Sequence, residues 1–311
     1  MTIALVTGGA GFIGSNLVSL LLKNKIEVRV IDNLSTGYRK NLIGLSIQFI
    51  EGDIRNYQLV EEAVSGVDMI FHFAASVGRQ KSLLNPQADA EINVIGTVNV
   101  LEAARVNKVK RIVYSSSAAI FGELLTMPIA ENHPQFPDSP YGVSKLGGEK
   151  QALCFAGLYD MTVVCLRYFN VYGVNQRFDA YGNVIPIFVH RIYQEEPITI
   201  YGDGEQTRDF VNVKDVAVAN FLSATVATKT GVYNIGSGIN ITINFLADLM
   251  KKVSGSKVGI VYDPERPADV RHCRADISKA NQELGFSPDP DIETGLEEYL
   301  SWFRDDQSIS V

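Results

Sequence analysis

The feature that most constrains this chain is a glycine turn set between a short apolar run and an amphipathic stretch. IALVT at 3–7 leads into Gly8-Gly9-Ala10-Gly11-Phe12-Ile13-Gly14, and a helical pattern runs near 11–23. Gly9, Gly11 and Gly14 match the spacing GxGxxG. Such glycines permit a tight turn and let backbone N–H groups at a helix N-terminus approach a pyrophosphate, where the positive end of the helix dipole favours the anion. Alone they mark only a turn, and a second residue gives them their meaning. The next strand run, VRVID, ends at Asp32, eighteen residues after Gly14, where a carboxylate would bond the hydroxyls of an adenosine ribose. An acid there repels a 2′-phosphate, so the pattern favours NAD over NADP.

The same rhythm continues through IQFI (47–50), MIFHF (69–73), RIVYS (111–115) and TVVCLRY (162–168), with helix candidates near 56–65, 86–106 and 140–158. Short β-branched runs alternating with helices predict an α/β fold, a Rossmann doubly wound parallel sheet covered on both faces. After residue 168 the rhythm breaks: 169–208 is rich in Gly, Tyr, Asn and Pro, FVNVKDVAVANFLSAT resumes strand and helix, and 239–311 carries two helical patterns around YDPERPADVRH. The expected division is a cofactor domain of residues 1–168, with 209–238 returning to it, and a smaller substrate-binding lobe of 169–208 and 239–311.

A chain of 311 residues, 46% hydrophobic, can bury a large core, which argues against disorder. Its net charge of -7, without a Lys/Arg run, argues against nucleic-acid binding. No signal-like N-terminus or membrane-length apolar run is present, so a cytoplasmic location is expected. Cys154, Cys165 and Cys273 lack CxxC spacing, and His72, His133, His190 and His272 lack metal-ligand spacing, so neither disulfides nor a metal is expected.

VYSSSAAIFG (113–122) is a strand run that opens into Ser115, Ser116 and Ser117, and SPYGVSKLGGEK places Tyr141 and Lys145 four apart behind a candidate N-cap, Ser139, with Pro140 at the first helical position. That spacing puts both on one helix face. A free tyrosine has a pKa of about 10, so a neighbouring cation must act on it before it serves as a base at neutral pH.

Together with HFAAS, Asn93 in EINVIGT and RYFNVYG, these motifs resemble the extended short-chain dehydrogenase/reductase family, in particular its nucleotide-sugar 4-epimerases, over nearly the whole chain. The resemblance implies that Ser117 bonds the sugar O4, that Tyr141 is the acid/base, and that Lys145 orients the nicotinamide ribose and lowers the Tyr141 pKa. The implied NAD site runs over Gly8, Gly11, Phe12, Ile13, Gly14, Asp32, Asn33, Ser35, Thr36 and Gly37. It continues through Asp53, Ile54, Phe73, Ala74, Ala75, Asn93, Ser115, Ser116, Tyr141, Lys145 and Tyr168. The implied UDP-sugar contacts are Ser117, Asn170, Asn183, Val184, Ile185, Thr199, Tyr201, Arg208, Arg266, Asp269 and Cys273. Arg208 and Arg266 would clamp the diphosphate, because a guanidinium fork matches phosphate oxygens. Cys273 falls where relatives carry the residue flanking the C2 substituent; a small residue there implies that the UDP-GlcNAc/UDP-GalNAc pair is accepted besides UDP-Glc/UDP-Gal. The helices near 86–106 and 140–158 form an intersubunit bundle in relatives, implying a homodimer. Gly78, Arg79, Gln80 and Lys81 depart from the serine-valine and arginine motif of many 4-epimerases and leave the role of Ser76 to Ser82 open.

Related 4,6-dehydratases place an Asp-Glu pair after the serine or threonine, and UDP-glucuronate decarboxylases a Glu; this chain has Ala118 and Ala119. Another nucleotide-sugar oxidoreductase of the same family, a dehydrogenase or a dehydratase, or a non-catalytic NAD-binding protein on the same fold, are the alternatives.

Overall fold

The computed structural model describes residues 2–178, 182–265 and 270–308. Its strands are β1 (Ile3–Thr7), β2 (Glu27–Asp32), β3 (Gln48–Glu51), β4 (Met69–His72), β5 (Arg111–Ser117), β6 (Thr162–Tyr168), β7 (Asn170–Tyr172), β8 (Ile198–Tyr201), β9 (Thr207–Asn212), β10 (Gly231–Ile235), β11 (Asn240–Thr242) and β12 (Ile260–Asp263). The α-helices are α1 (Phe12–Lys23), α2 (Tyr57–Val64), α3 (Arg79–Leu84), α4 (Pro86–Ala90), α5 (Thr97–Val106), α6 (Pro140–Leu158), α7 (Val184–Tyr193), α8 (Val213–Thr225), α9 (Ile243–Ser254), α10 (Ser278–Leu284) and α11 (Ile292–Ser308).

Seven parallel strands form the main sheet in the order β10-β6-β5-β4-β1-β2-β3. Alternation along each strand explains why both faces are covered. Ala4, Val6, Phe71, Val113 and Val164 point into a core shared with Leu17, Val18 and Leu21 of α1 and Val216 of α8. Leu5, Ile70, Ile112 and Val163 point into the opposite core, with Val60 of α2, Val100 and Leu101 of α5 and Ala152 of α6. Strand order reverses between β1 and β4, and open α/β sheets bind ligands at the strand C-termini beside such a reversal.

The sequence predicts one helix over 86–106. The structure inserts a π-helical turn, Glu91–Gly96, between α4 and α5. Close packing explains Gly96, where an added Cβ would lie 2.5 Å from Ile54 Cδ1. Beyond the main sheet, β11-β9-β7 and β12-β8 form two small sheets. Residues 209–212 thus belong to a small sheet, while α8 and β10 return to the large one. Phe188, Ile198, Ile200, Leu246, Met250, Tyr299 and Phe303 make a third core beneath α7, α9 and α11.

Candidate active site

A cavity of about 1030 Å³ opens beside the reversal point, with Gly8, Gly11, Phe12, Ile13 and Gly14 in its wall. Gly8 adopts φ +69°, and an added Cβ would lie 2.7 Å from the Ala74 nitrogen; one on Gly14 would lie 2.3 Å from the Gly8 carbonyl oxygen. Gly9 turns away: its added Cβ would meet the Val30 side chain, and it is not part of the wall. The set at the cavity is therefore Gly8, Gly11 and Gly14, not the GxGxxG register read from the sequence. Gly11 caps α1 without a side-chain hydrogen bond, the arrangement that presents helix N–H groups to a phosphate.

Asp32 lies next to this turn and is 6% exposed. Its oxygens accept from the Ala10 N–H at 2.9 Å and the Leu34 N–H at 2.8 Å. Burial pushes the carboxyl up, while those two bonds pull it down. An added Cβ at Gly37 would sit 3.0 Å from both Asp32 oxygens, so this edge of the cavity is tight. Asn33, Ser35, Thr36, Asp53, Ile54, Phe73, Ala74 and Ala75 complete this end of the wall. Asp53 is bound by Arg55, which holds its carboxyl down at about 2, and it accepts from Asn33 Nδ2 at 2.9 Å.

At the other end, β5 delivers Ser115, Ser116 and Ser117 to the wall, joined there by Tyr168. Ser116 Oγ donates to Glu149 Oε2 at 2.7 Å, and Glu149 is paired with Arg167, both fully buried. Ser117 Oγ accepts from the Ala119 N–H at 3.2 Å, and Ser117 shares the cavity wall with Tyr141. Helix α6 starts at Pro140 behind Ser139, whose Oγ accepts from the Gly142 N–H at 3.3 Å. It brings Tyr141 and Lys145 to the cavity together. Burial pushes the Tyr141 hydroxyl up, and the neighbouring Ser117 hydroxyl opposes this. Lys145, 3% exposed, is pushed down to about 8 by burial, with Asp89, Cys165 and Glu149 opposing. Its ammonium lies 4.7 Å from the Tyr114 ring centroid.

Five residues expected at the ligands stand back from the cavity wall. Asn93 is buried behind it: its Nδ2 donates to the Ser76 carbonyl (2.9 Å) and Ser144 Oγ (3.0 Å), and its Oδ1 accepts from the Ser76 N–H (2.8 Å). It braces the loop after β4 against α6. Ile185 is buried in the third core and Val184 packs against that core, because the apolar face of α7 turns inward. Thr199 lies on β8 paired with β12, and Tyr201 borders a separate small hollow with Gly202 and Glu265. Arg266 and Asp269 lie outside the described residues. Asn170, Asn183, Arg208 and Cys273 do line the cavity, and Cys273 packs with Ile120, Phe121, Ile129, Phe169 and Ala275.

Sequence reading missed two parts of the wall: Tyr38 and Asn41 after Asp32, and Asn175 to Phe178 after β7. The polar run VNQRF following RYFNVYG was the available signal. It also left open Arg79, Gln80 and Lys81, which line the cavity; Arg79 pairs with Asp138 at 3.2 Å.

Residues 4–236 match the NAD dependent epimerase/dehydratase family. A Methanocaldococcus jannaschii protein provisionally named UDP-glucose 4-epimerase is 40% identical over 302 residues, 96% of this chain and 98% of that protein. The UDP-N-acetylglucosamine 4-epimerase of Methanobrevibacter ruminantium M1, solved with UDP-N-acetylmuramic acid, superposes with a TM-score of 0.94 at 37% identity, covering 98% of this chain and 99% of that one. Thermus thermophilus UDP-glucose 4-epimerase, solved with NAD, superposes with a TM-score of 0.88 at 34% identity over 97% and 99% of the two chains. Relatives named dTDP-glucose 4,6-dehydratase also match. With a doubly wound sheet, a glycine turn facing Asp32 and matches that span almost its full length, the chain belongs to the NAD dependent epimerase/dehydratase family.

Proposed function

We propose that this NAD-dependent epimerase inverts C4 of UDP-hexoses through a transient 4-keto sugar, and that it accepts UDP-GlcNAc/UDP-GalNAc as well as UDP-Glc/UDP-Gal. The observation that carries the reading is that Ser117, Tyr141 and Lys145 meet in one cavity wall, with Ala118-Ala119 following the serine. When bound, oxidised NAD supplies a hydride acceptor for C4 and a positive charge near Tyr141. Ser117 holds O4 and stabilises the Tyr141 oxygen, and Tyr141 takes the O4 proton and later returns it. Lys145 reaches the nicotinamide ribose, and the buried Ser116-Glu149-Arg167 chain fixes the end of β5. Inversion would follow if the keto sugar presented its opposite face to the bound dinucleotide, which would supply the hydride. Ala118 and Ala119 have no exchangeable proton, which weighs against dehydration or decarboxylation despite the dehydratase relatives.

The remaining assignments follow the same reading. Residues 1–168 with 209–238 hold the dinucleotide, and 169–208 with 239–311 hold the UDP-sugar. The apolar side chains left exposed on the helices near 86–106 and 140–158 support a homodimer, and the proposed location is the cytoplasm. Among the described residues no helix is long and apolar enough to cross a membrane.

Purified protein incubated with each of the four UDP-sugars, with products separated, tests the reaction. Formation of the C4 epimer without accumulating free NADH is expected, and Tyr141→Phe should lose at least about 100-fold in kcat, the scale of a general acid/base. Full activity of Tyr141→Phe overturns the assignment.

A further inference from the structure

The loop after β7 crosses from the small lobe to the first turns of α1. Asn16 Nδ2 donates to the Val174 carbonyl and Asn175 Nδ2 to Ser15 Oγ, each at 2.9 Å. From behind, the Tyr299 hydroxyl on α11 donates to the Gln176 carbonyl at 2.6 Å. Arg177 then ties three parts of the chain together. Its guanidinium carbon lies 4.1 Å from the Tyr38 ring centroid and 5.5 Å from that of Trp302. Its Nη2 donates to Asn41 Oδ1 at 3.1 Å, and its Nη1 pairs with Asp306 near the end of α11. The second Asp306 oxygen pairs with Lys40 Nζ at 2.9 Å. Tyr38 and Asn41 are themselves fixed to the glycine turn, because the Tyr38 N–H (3.0 Å) and Asn41 Nδ2 (2.9 Å) both donate to the Ala10 carbonyl.

Tyr38, Asn41, Asn175, Gln176 and Arg177 all line the cavity, next to Gly37 and Asp32 at its ribose end. A dinucleotide lying along the glycine turn therefore has the cofactor half on one side and this loop, backed by α11, on the other. The side chains of Arg177 and Asp306 are 17% and 10% exposed, so the pair is shielded from the solvent that weakens surface ion pairs.

We propose that Arg177, with Asp306, Lys40, Tyr38 and Asn41, forms a clasp between the lobes that closes over the adenosine end of bound NAD and retains it through repeated turnovers. The inference rests on the retained-cofactor reading above. Hydride taken from C4 must return to the same sugar, so loss of the reduced dinucleotide in mid-cycle would strand the 4-keto intermediate. A clasp on the adenosine end holds the cofactor while leaving the sugar end free to exchange substrate.

Exchange of bound NAD against isotopically labelled NAD, followed on the purified protein, tests this independently of which sugar is turned over. Arg177→Met, which keeps the apolar stem but removes the charge, and Asp306→Asn should each exchange at least about 10-fold faster than the unaltered protein, equivalent to about 1.4 kcal/mol. Both should also release free NADH when given UDP-hexose. Glu293→Gln, which breaks the α11 pair with Lys252 away from the clasp, should exchange as the unaltered protein does. If either clasp variant melts below the assay temperature, Lys40→Gln, a partly exposed outer member of the cluster, carries the test. Folded clasp variants that retain NAD as long as the unaltered protein overturn the proposal, whereas failure to form a C4 epimer overturns only the assigned reaction.

Discussion

On the proposed function, Cys273 is the side chain on which the choice between UDP-sugars would turn. It is 8% exposed in a wall that includes Ile129 and Phe169, and burial pushes its thiol up to about 12, so at neutral pH it acts as a small apolar surface. On the proposed reading, a tyrosine ring there would compete with a C2 N-acetyl group for space. Cys273→Tyr should therefore lower kcat/KM for UDP-GlcNAc about 10-fold or more beyond any loss for UDP-Glc, the scale of a steric mismatch in a binding pocket. Parallel assays of the two sugars check this, and equal losses would sink the assignment. Ser117, Tyr141 and Lys145 were legible from the sequence because strand end and helix spacing fix their neighbours locally. Arg177 was not, since its partners at Asn41 and Asp306 lie 136 and 129 residues away. GGAG offers two registers: Gly9 fits the GxGxxG spacing but packs against Val30, while Gly8, named for the NAD site, faces the cavity.

Strands and helices were legible where apolar period and length agreed, as in β1, β2 and α6. The π-helical turn at Glu91–Gly96 was not, because EINVIG keeps a helical apolar pattern whatever the local hydrogen bonding. The pairing of β8 with β12 was equally hidden, since two four-residue strands carry no partner signal. Between elements, the tightest polar link joins β5, α6 and β6. Arg167 donates to Glu149 through Nε (3.0 Å) and Nη2 (2.6 Å) and to the Glu131 carbonyl through Nη1 (2.7 Å), while Ser116 donates to the same carboxylate. Glu149→Gln removes one charge of a fully buried pair and leaves Arg167 uncompensated. A loss of about 3 kcal/mol in unfolding free energy is expected, within the usual range for breaking such a pair, read as a lowered denaturant midpoint. A midpoint equal to that of the unaltered protein would show that the chain between β5 and α6 is not held this way.

At the scale of the whole molecule, the two cores of the main sheet and the third core beneath α7, α9 and α11 hold most of the large apolar side chains, while several on neighbouring helices stay exposed. Leu84 (81% exposed), Ile95 (56%), Val143 (57%) and Leu158 (68%) sit on α3, the π-helical turn and the two ends of α6. Apolar side chains so exposed on adjacent helices mark a surface that gains by being covered. In the proposed homodimer a second copy would cover it by twofold symmetry, with each pair of helices packing on its equivalent. Because Tyr141 and Lys145 lie on α6 with their side chains facing the cavity, such a bundle would leave the active site open while stiffening the helix that carries it. Sedimentation of the unaltered protein at micromolar concentration should give twice the chain mass. Ile95→Glu combined with Val143→Glu, which places two charges in the seam and spares every cavity-lining residue, should sediment as a folded monomer. A monomeric unaltered protein, or a double variant that remains dimeric, would move the interface elsewhere on the molecule.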